Sequence, residues 1–278
     1  MPLLSIIIAN YNYGRFLEAA IQSVLSQGVN NEIELIICDA ASTDNSIQVI
    51  KKFEKDIAWW CSEVDGGQSC AFNKGFSHAK GKYLTWLNAD DIFMPGALKV
   101  VLHELKTYPE CEWFTGNFFR VGTEGKVLGI GWGPHYYPNW LQRQGSPLVI
   151  FGPTTFFAKS IWERLGKLDE RMHMMMDTDL WRRFVVAGVK QRRINRLIWV
   201  FRMHEASKTA EYGGHFLNEK ARIQFAKEEQ WSFEKTQYCE SRLLRAICLL
   251  FRIIDGSLLV RLWLQLTLRN FIAMGGER

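Results

Sequence analysis

Ser5-Ile6-Ile7-Ile8-Ala9-Asn10, then Ile33-Glu34-Leu35-Ile36-Ile37-Cys38-Asp39, then Tyr83-Leu84-Thr85-Trp86-Leu87-Asn88: three short apolar runs, each stopping at an amide or a carboxylate, decide how this chain folds. Runs of this length, rich in β-branched and aromatic residues, read as strands buried on both faces. Apolar residues at helical spacing over 16–26 separate the first from the second and make a βαβ unit. The pattern then repeats, with Asp44 as the N-cap of a helix through Phe53, a strand over 58–61 and a helix over 69–78. Strands alternating with helices imply a mostly parallel sheet covered on both faces.

Beyond the third run, Pro95 fits the first turn of a helix reaching about Thr107. A strand over 113–120, a turn at 122–125 and a second strand near Val127 bring in antiparallel pairing. Residues 129–147 are rich in Gly, Pro and aromatics and lack periodicity, the composition of a long functional loop. A strand near 154–157, helices over 160–165 and 177–187 and a strand over 192–201 follow. The fold class expected is therefore α/β, one large domain over 1–210 with a helical extension over 211–278.

In open α/β sheets the ligand crevice lies outside the carboxyl ends of the strands. Acidic residues gather at just those positions: Asp39 after the second run, Asp65 after the short strand, and Asn88-Ala89-Asp90-Asp91 after the third. Asp39 suits a hydrogen bond from a base N–H or a ribose hydroxyl, and also suits a helix-capping turn through Ala40-Ala41-Ser42-Thr43-Asp44. Tyr11 offers a face on which a base can stack. The carboxylates of the 88–91 run are hard oxygen ligands of the kind that hold Mg²⁺ or Mn²⁺ against a diphosphate, although acidic pairs at strand ends also serve as caps.

Length and composition agree with one large α/β domain and an appendage. The 278 residues are 47% hydrophobic, enough for a core and against disorder. The formal net charge of +5 is mild, and nucleic acid is not an expected partner. The six cysteines form no C-x-x-C pair and several lie in apolar runs, as in a reducing compartment. A strand-like run begins after two residues, with no basic leader ahead of it, so a cytoplasmic location is expected rather than export.

These segments together resemble the family 2 glycosyltransferases, inverting enzymes of the GT-A fold. Ser5 to Asn12 is similar to the family's opening strand, Asp39 to Asp44 to its D-x-x-S-T-D segment and Asn88 to Asp91 to its D-x-D. Glu63-Val64-Asp65-Gly66-Gly67-Gln68, Asn73-Lys74-Gly75, Gly166 to Glu170, Met176 to Trp181 and Arg202 to Lys208 extend the likeness over about the first 210 residues. The resemblance implies that Tyr11, Asp39 and Asp65, with Asn73, Asn88, Ala89 and Asp90, bind a nucleotide-sugar, usually a uridine one. It implies a Mn²⁺ or Mg²⁺ ion held by Asp90 with Asn88 or Asp91, and Asp177 as the general base that deprotonates the acceptor hydroxyl. His204 matches a position that contacts the cation or diphosphate in the family; a lone histidine is as often structural. The acceptor implied is a glycan or a lipid-linked sugar in surface polysaccharide assembly.

The chain departs from the pattern at four places. Ala9 replaces a usual Pro, and Ala41 stands where Gly is common, although alanine tolerates positive φ poorly. Asn88 replaces the first Asp of D-x-D, keeping an oxygen but removing a charge, and Met176 replaces the Glu that precedes the base. Two other classes stay open: a nucleotidyltransferase, whose glycine-rich basic phosphate loop is missing here, and a non-catalytic nucleotide-sugar-binding protein, which has no need of Asp177. Aromatic residues Trp132, His135, Tyr136, Tyr137 and Trp140 suit stacking on an acceptor sugar or packing in a core. Gly152 to Thr155 precedes the base-bearing helix and lines an acceptor pocket or enters a strand. The arginines between Arg242 and Arg269 interrupt every apolar run before the roughly 18 residues a spanning helix needs. They project on one side of two amphipathic helices, suited either to peripheral contact with an anionic membrane, which would place the protein at the inner face of the cell membrane, or to packing on the domain or a second subunit in a homo-oligomer.

Overall fold

A computed structural model describes residues 1–122, 125, 127–131, 152–172 and 176–208. The three apolar runs are strands β1 (Leu4–Asn10), β2 (Ile33–Asp39) and β4 (Tyr83–Asn88), and with β3 (Trp59–Ser62) they form the parallel half of one sheet in the order β3-β2-β1-β4. Their register sets the site. Asn10 pairs with Asp39, Asp39 with Ser62 and Ala9 with Asn88, so the polar residues ending these strands stand side by side on one edge. Helices α1 (Gly14–Leu25), α2 (Ser46–Lys52) and α3 (Gln68–His78) connect the strands.

The other half is mixed. It comprises β5 (Ile92–Phe93), β6 (Trp113–Val121), β7 (Val127–Gly131), β8 (Thr155–Ala158) and β9 (Gln191–Arg202), with helices α4 (Ala97–Thr107), α5 (Lys159–Leu165) and α6 (Met176–Val186). β8 runs antiparallel between β4 and the first half of β6, β7 is antiparallel to the second half of β6, and β9 is parallel to β6. β9 thereby returns the chain to β5, antiparallel, just beyond the 88–91 run.

The core between the sheet and its helices is dense in aromatic rings. Trp86 of β4 stacks on Trp181 of α6 with centroids 5.5 Å apart and planes 6° apart, and Trp113, Phe157 and Phe184 close around them. Each such pair adds about 0.5–1.5 kcal/mol to the burial of its surface. The 3₁₀ turn Gly152–Thr154 passes over this stack; a Cβ at Gly152 would lie 2.2 Å from the Trp86 ring, so that position requires glycine.

Several boundaries differ from expectation. The residue flanking α2 is Asn45 rather than Asp44, yet Asp44 Oδ1 accepts from the Ser46 N–H while Oδ2 accepts from the N–H of Gly14. One carboxylate thus serves the starts of two helices. Pro95 lies outside α4, because Gly96 flanks the helix in a left-handed conformation (φ 77°). The two residues of β5 carry no period of their own and pair only because β9 reaches them. The aromatic loop after Gly131, the boundary at 210 and the basic segment over 242–274 lie outside the described residues.

Candidate functional site

The carboxyl edge of the parallel strands carries most of the residues singled out in the sequence, and they fall into two groups. In the first, the Asp39 carboxylate is 1% exposed and fully engaged. Oδ1 accepts from the Asn10 amide at 2.6 Å and the Ser42 hydroxyl at 2.5 Å; Oδ2 accepts from the Ser42 N–H at 2.9 Å and the Ser62 hydroxyl at 2.6 Å. Four donors hold three chain segments together. The turn this closes needs Ala41 at φ 54° and Asn12 at φ 56°, so Ala41 keeps the left-handed conformation that its sequence makes costly. Tyr11, on the same turn, is 61% exposed at the end of β1.

Asp65 is half-buried beyond β3 and accepts the Gly67 N–H at 2.7 Å, which opens α3. Burial, then the Asp39 charge, raises its pKa, although the Gly67 N–H works against the shift. Asn73 lies further along α3 and is buried. Its amide donates to Leu168 O and Glu170 Oε1 and accepts from the Leu168 N–H, so it clamps the segment after α5 onto α3.

The second group lies at the end of β4. Ala89 is buried, and Asp90 and Asp91 point to different places. Asp91 is 0% exposed: Oδ1 accepts from the Arg202 N–H at 2.9 Å and Oδ2 from the Asn88 amide at 2.9 Å. Burial, then the Asp90 charge, pushes its pKa well above the carboxylate range. The expected role of Asp91 as a metal ligand therefore meets a carboxylate turned into the protein. Asp90 is 8% exposed and its Oδ2 lies 3.2 Å from Nε2 of His204; no side chain among the described residues donates to its Oδ1. The His204 ring packs 4.4 Å from the Phe16 ring and edge-on to Tyr13, and its buried Nδ1 has no partner among the described residues. Tyr13 donates its hydroxyl to Ala206 O at 2.8 Å, and burial, then the Asp90 charge, lifts its pKa to about 12.

A carboxylate with an open oxygen beside an imidazole suits a hard divalent ion such as Mn²⁺ or Mg²⁺. Among the described residues no group of three or more acidic, cysteine or histidine side chains is arranged as a metal cage. Two side chains completed by waters and substrate phosphates are the usual protein share of such a site.

Asp177 reaches the same edge by packing. Trp181 is anchored on Trp86, and the start of α6 lies against the start of α3, where the Ser69 hydroxyl donates to Met172 O and contacts the Met176 sulfur. α3 begins at the carboxyl edge, so Asp177, in the first turn of α6, sits there too. Its Oδ1 accepts the Thr178 N–H at 2.7 Å. Two residues on, Asp179 pairs with Arg183, whose guanidinium also donates to Leu165 O, Gly166 O and Lys167 O and fixes α6 against α5. Arg202, Gln68 and Ser42 complete the site; all three stand inside stretches that carry the family resemblance, Ser42 in D-x-x-S-T-D, Gln68 at the end of Glu63–Gln68 and Arg202 at the head of Arg202–Lys208, but their residue types alone give them no role.

An α/β sheet of this topology with acidic residues and a histidine at its carboxyl edge has the architecture of the GT-A glycosyltransferases. The fold is similar to that of a mannosyltransferase from Pyrobaculum calidifontis solved with GDP-Man and Mn²⁺, at a TM-score of 0.58 and 17% identity, covering 89% of this chain and 69% of that one. The family profile described as Glycosyl transferase family 2 matches residues 5–166, and the chain belongs to that family. An uncharacterised glycosyltransferase of Nostoc is 40% identical over 107 residues, 37% of this chain and 33% of that one, so this chain spans about a third of that relative's length. The E. coli UDP-Glc:α-D-GlcNAc-diphosphoundecaprenol β-1,3-glucosyltransferase WfaP is 27% identical over 222 residues, 76% of this chain and 81% of that one.

Proposed function

We propose that this protein transfers a sugar, with inversion, from a nucleoside-diphosphate donor to a hydroxyl of a glycan or lipid-linked acceptor, in the assembly of surface polysaccharide. The observation that carries the reading is the Asp90–His204 pair, a carboxylate with an open oxygen at the carboxyl edge of a family 2 chain. A UDP-sugar is the donor favoured, since WfaP, which matches most of this chain, is named for UDP-Glc.

In this reading the base stacks on exposed Tyr11, with Asp65 and the closed turn at Asp39 shaping its pocket and Asn88 and Ala89 forming the floor toward the diphosphate. Asp90 and His204 hold the Mn²⁺ or Mg²⁺, which when bound offsets the charge growing on the leaving diphosphate. Asp177 takes the proton from the acceptor hydroxyl as that oxygen attacks the anomeric carbon from the face opposite the leaving group. The bond to the phosphate oxygen breaks as the new glycosidic bond forms, so one displacement inverts the centre. A positioned base of this kind contributes about 10²–10⁴-fold in rate. The protein works at the cytoplasmic face of the membrane, with residues 211–278 as the segment that contacts lipid or a second copy; among the described residues no helix is long and apolar enough to cross a membrane.

The test is a thermal-shift and turnover screen of UDP-, GDP- and dTDP-sugars with and without Mn²⁺ on the parent protein and Asp177→Asn. One donor should stabilise both proteins in the presence of Mn²⁺, with turnover lost by about 10²-fold or more only in Asp177→Asn. Stabilisation by no donor would sink the donor site, and full turnover in Asp177→Asn would remove the base assignment.

A further inference from the structure

Asn88 stands where the D-x-D motif has its first aspartate, and the simple expectation is that its amide oxygen replaces a carboxylate oxygen at the cation. The geometry points to a different role: Asn88 is a positioning residue that bridges Gln68 to the buried Asp91 and leaves Asp90 as the carboxylate of the 88–91 run that meets the ion. This deepens the cation reading above and rests on it.

Both ends of the Asn88 amide are engaged. Oδ1 accepts from Nε2 of Gln68, in the first turn of α3, at 3.1 Å, and Nδ2 donates to Asp91 Oδ2 at 2.9 Å. With Gln68 Nε2 donating to its oxygen, the Asn88 amide presents its nitrogen to Asp91, so one side chain joins the two. Asp91 is in turn fixed from β9, where the Arg202 N–H binds its Oδ1, while the Arg202 side chain donates to the backbone oxygen of Asp90. The chain of contacts Gln68–Asn88–Asp91–Arg202 therefore spans α3, the 88–91 turn and β9, and Asp90 is the residue whose backbone is held between them. Asparagine is the residue that position 88 requires. An aspartate there has no amide N–H to give Asp91 Oδ2, so the contact that ties the two residues together is lost. The substitution that restores the family motif is thus expected to damage the site.

Asn88→Asp tests this directly, with the exchanged pair Asn88→Asp/Asp91→Asn and Gln68→Ala alongside. Mn²⁺ binding is read by electron paramagnetic resonance titration in the presence of UDP, and the melting temperature is read without metal. Asn88→Asp should bind Mn²⁺ about tenfold or more weakly, the loss typical of a disturbed outer contact, and should melt earlier. The exchanged pair, which rebuilds an amide–carboxylate contact in the opposite sense, should recover both readouts, and Gln68→Ala should weaken Mn²⁺ binding to a smaller extent. Should the single variant fail to fold, folding of the exchanged pair is the recovery. Tighter Mn²⁺ binding by Asn88→Asp would make position 88 a ligand and overturn the inference, as would an exchanged pair no better than the single variant. If the parent protein takes up no Mn²⁺, the cation reading fails, while the metal-free melting temperatures still decide whether Asn88 and Asp91 are coupled.

Discussion

Asp39 and Asp90 end neighbouring regions of the same sheet edge, and they are in opposite states. The Asp39 carboxylate accepts four hydrogen bonds from within the protein; the Asp90 carboxylate has His204 beside one oxygen and no side-chain donor at the other among the described residues. A buried acceptor saturated by the fold shapes the pocket around it, whereas one left open beside an imidazole with an unpartnered nitrogen is where atoms from outside belong. Both are aspartates after an apolar strand, and the strand itself does not tell them apart.

The sharpest way to break this contrast is Asp90→Ala. It should reduce kcat/KM about 10³-fold and remove Mn²⁺-dependent donor binding, with little change in melting temperature. An equally large drop in melting temperature would mean that Asp90 belongs with the structural group. Asp39→Ala should show the reverse, a loss of about 3 kcal/mol in denaturant unfolding, because the Asn10 amide, the Ser42 hydroxyl and N–H and the Ser62 hydroxyl lose their acceptor together. Unchanged stability there would leave Asp39 free for the nucleotide alone.

Two smaller effects sharpen the picture of the closed turn. Ala41→Gly relieves the left-handed strain at φ 54° while loosening the unfolded chain, for a net gain of about 0.5–1 kcal/mol measured by the same unfolding. The smallest effect concerns Asp44. Burial works against its charge, but hydrogen bonds from the Ser46 hydroxyl and from the N–H groups of Gly14 and Ser46 hold its pKa below the usual value. A depressed carboxyl stabilises the fold above its unfolded pKa, near 4, and loses that contribution as the pH falls through the folded value. The melting temperatures of the parent and Asp44→Ala should therefore differ at pH 7 and draw together as the pH falls below about 4; a constant gap would separate Asp44 from the acid response.

Much of the fold is legible in the chain itself. β1, β2 and β4 announce themselves as apolar runs with polar stops, and the helices between them show in the spacing of their apolar residues, because one buried face imposes one period. β5 does not show, since a strand of two residues has no period; β8 shows as a strand near 154–157, but its antiparallel place between β4 and β6 depends on partners elsewhere. The site follows the same division. The strand ends place Asp39, Asp65 and Asp90 at the carboxyl edge, whereas Asp177 comes there by the packing of α6, and the partners that engage Asn73 and Asp91 show only in the fold.

The sequence alone determined the parallel α/β class, the strand ends at which a ligand crevice opens and the acidic residues placed there, because all three depend on neighbours a few positions apart. Only the tertiary structure decided which carboxylate is open. Asp91 is saturated by a backbone N–H that lies 111 residues away, Asn73 by a segment 95 residues away, and Asp90 meets its histidine across 114 residues. Hydrogen-bond satisfaction is settled by groups that packing brings together, and no local pattern in the chain encodes which of them will arrive.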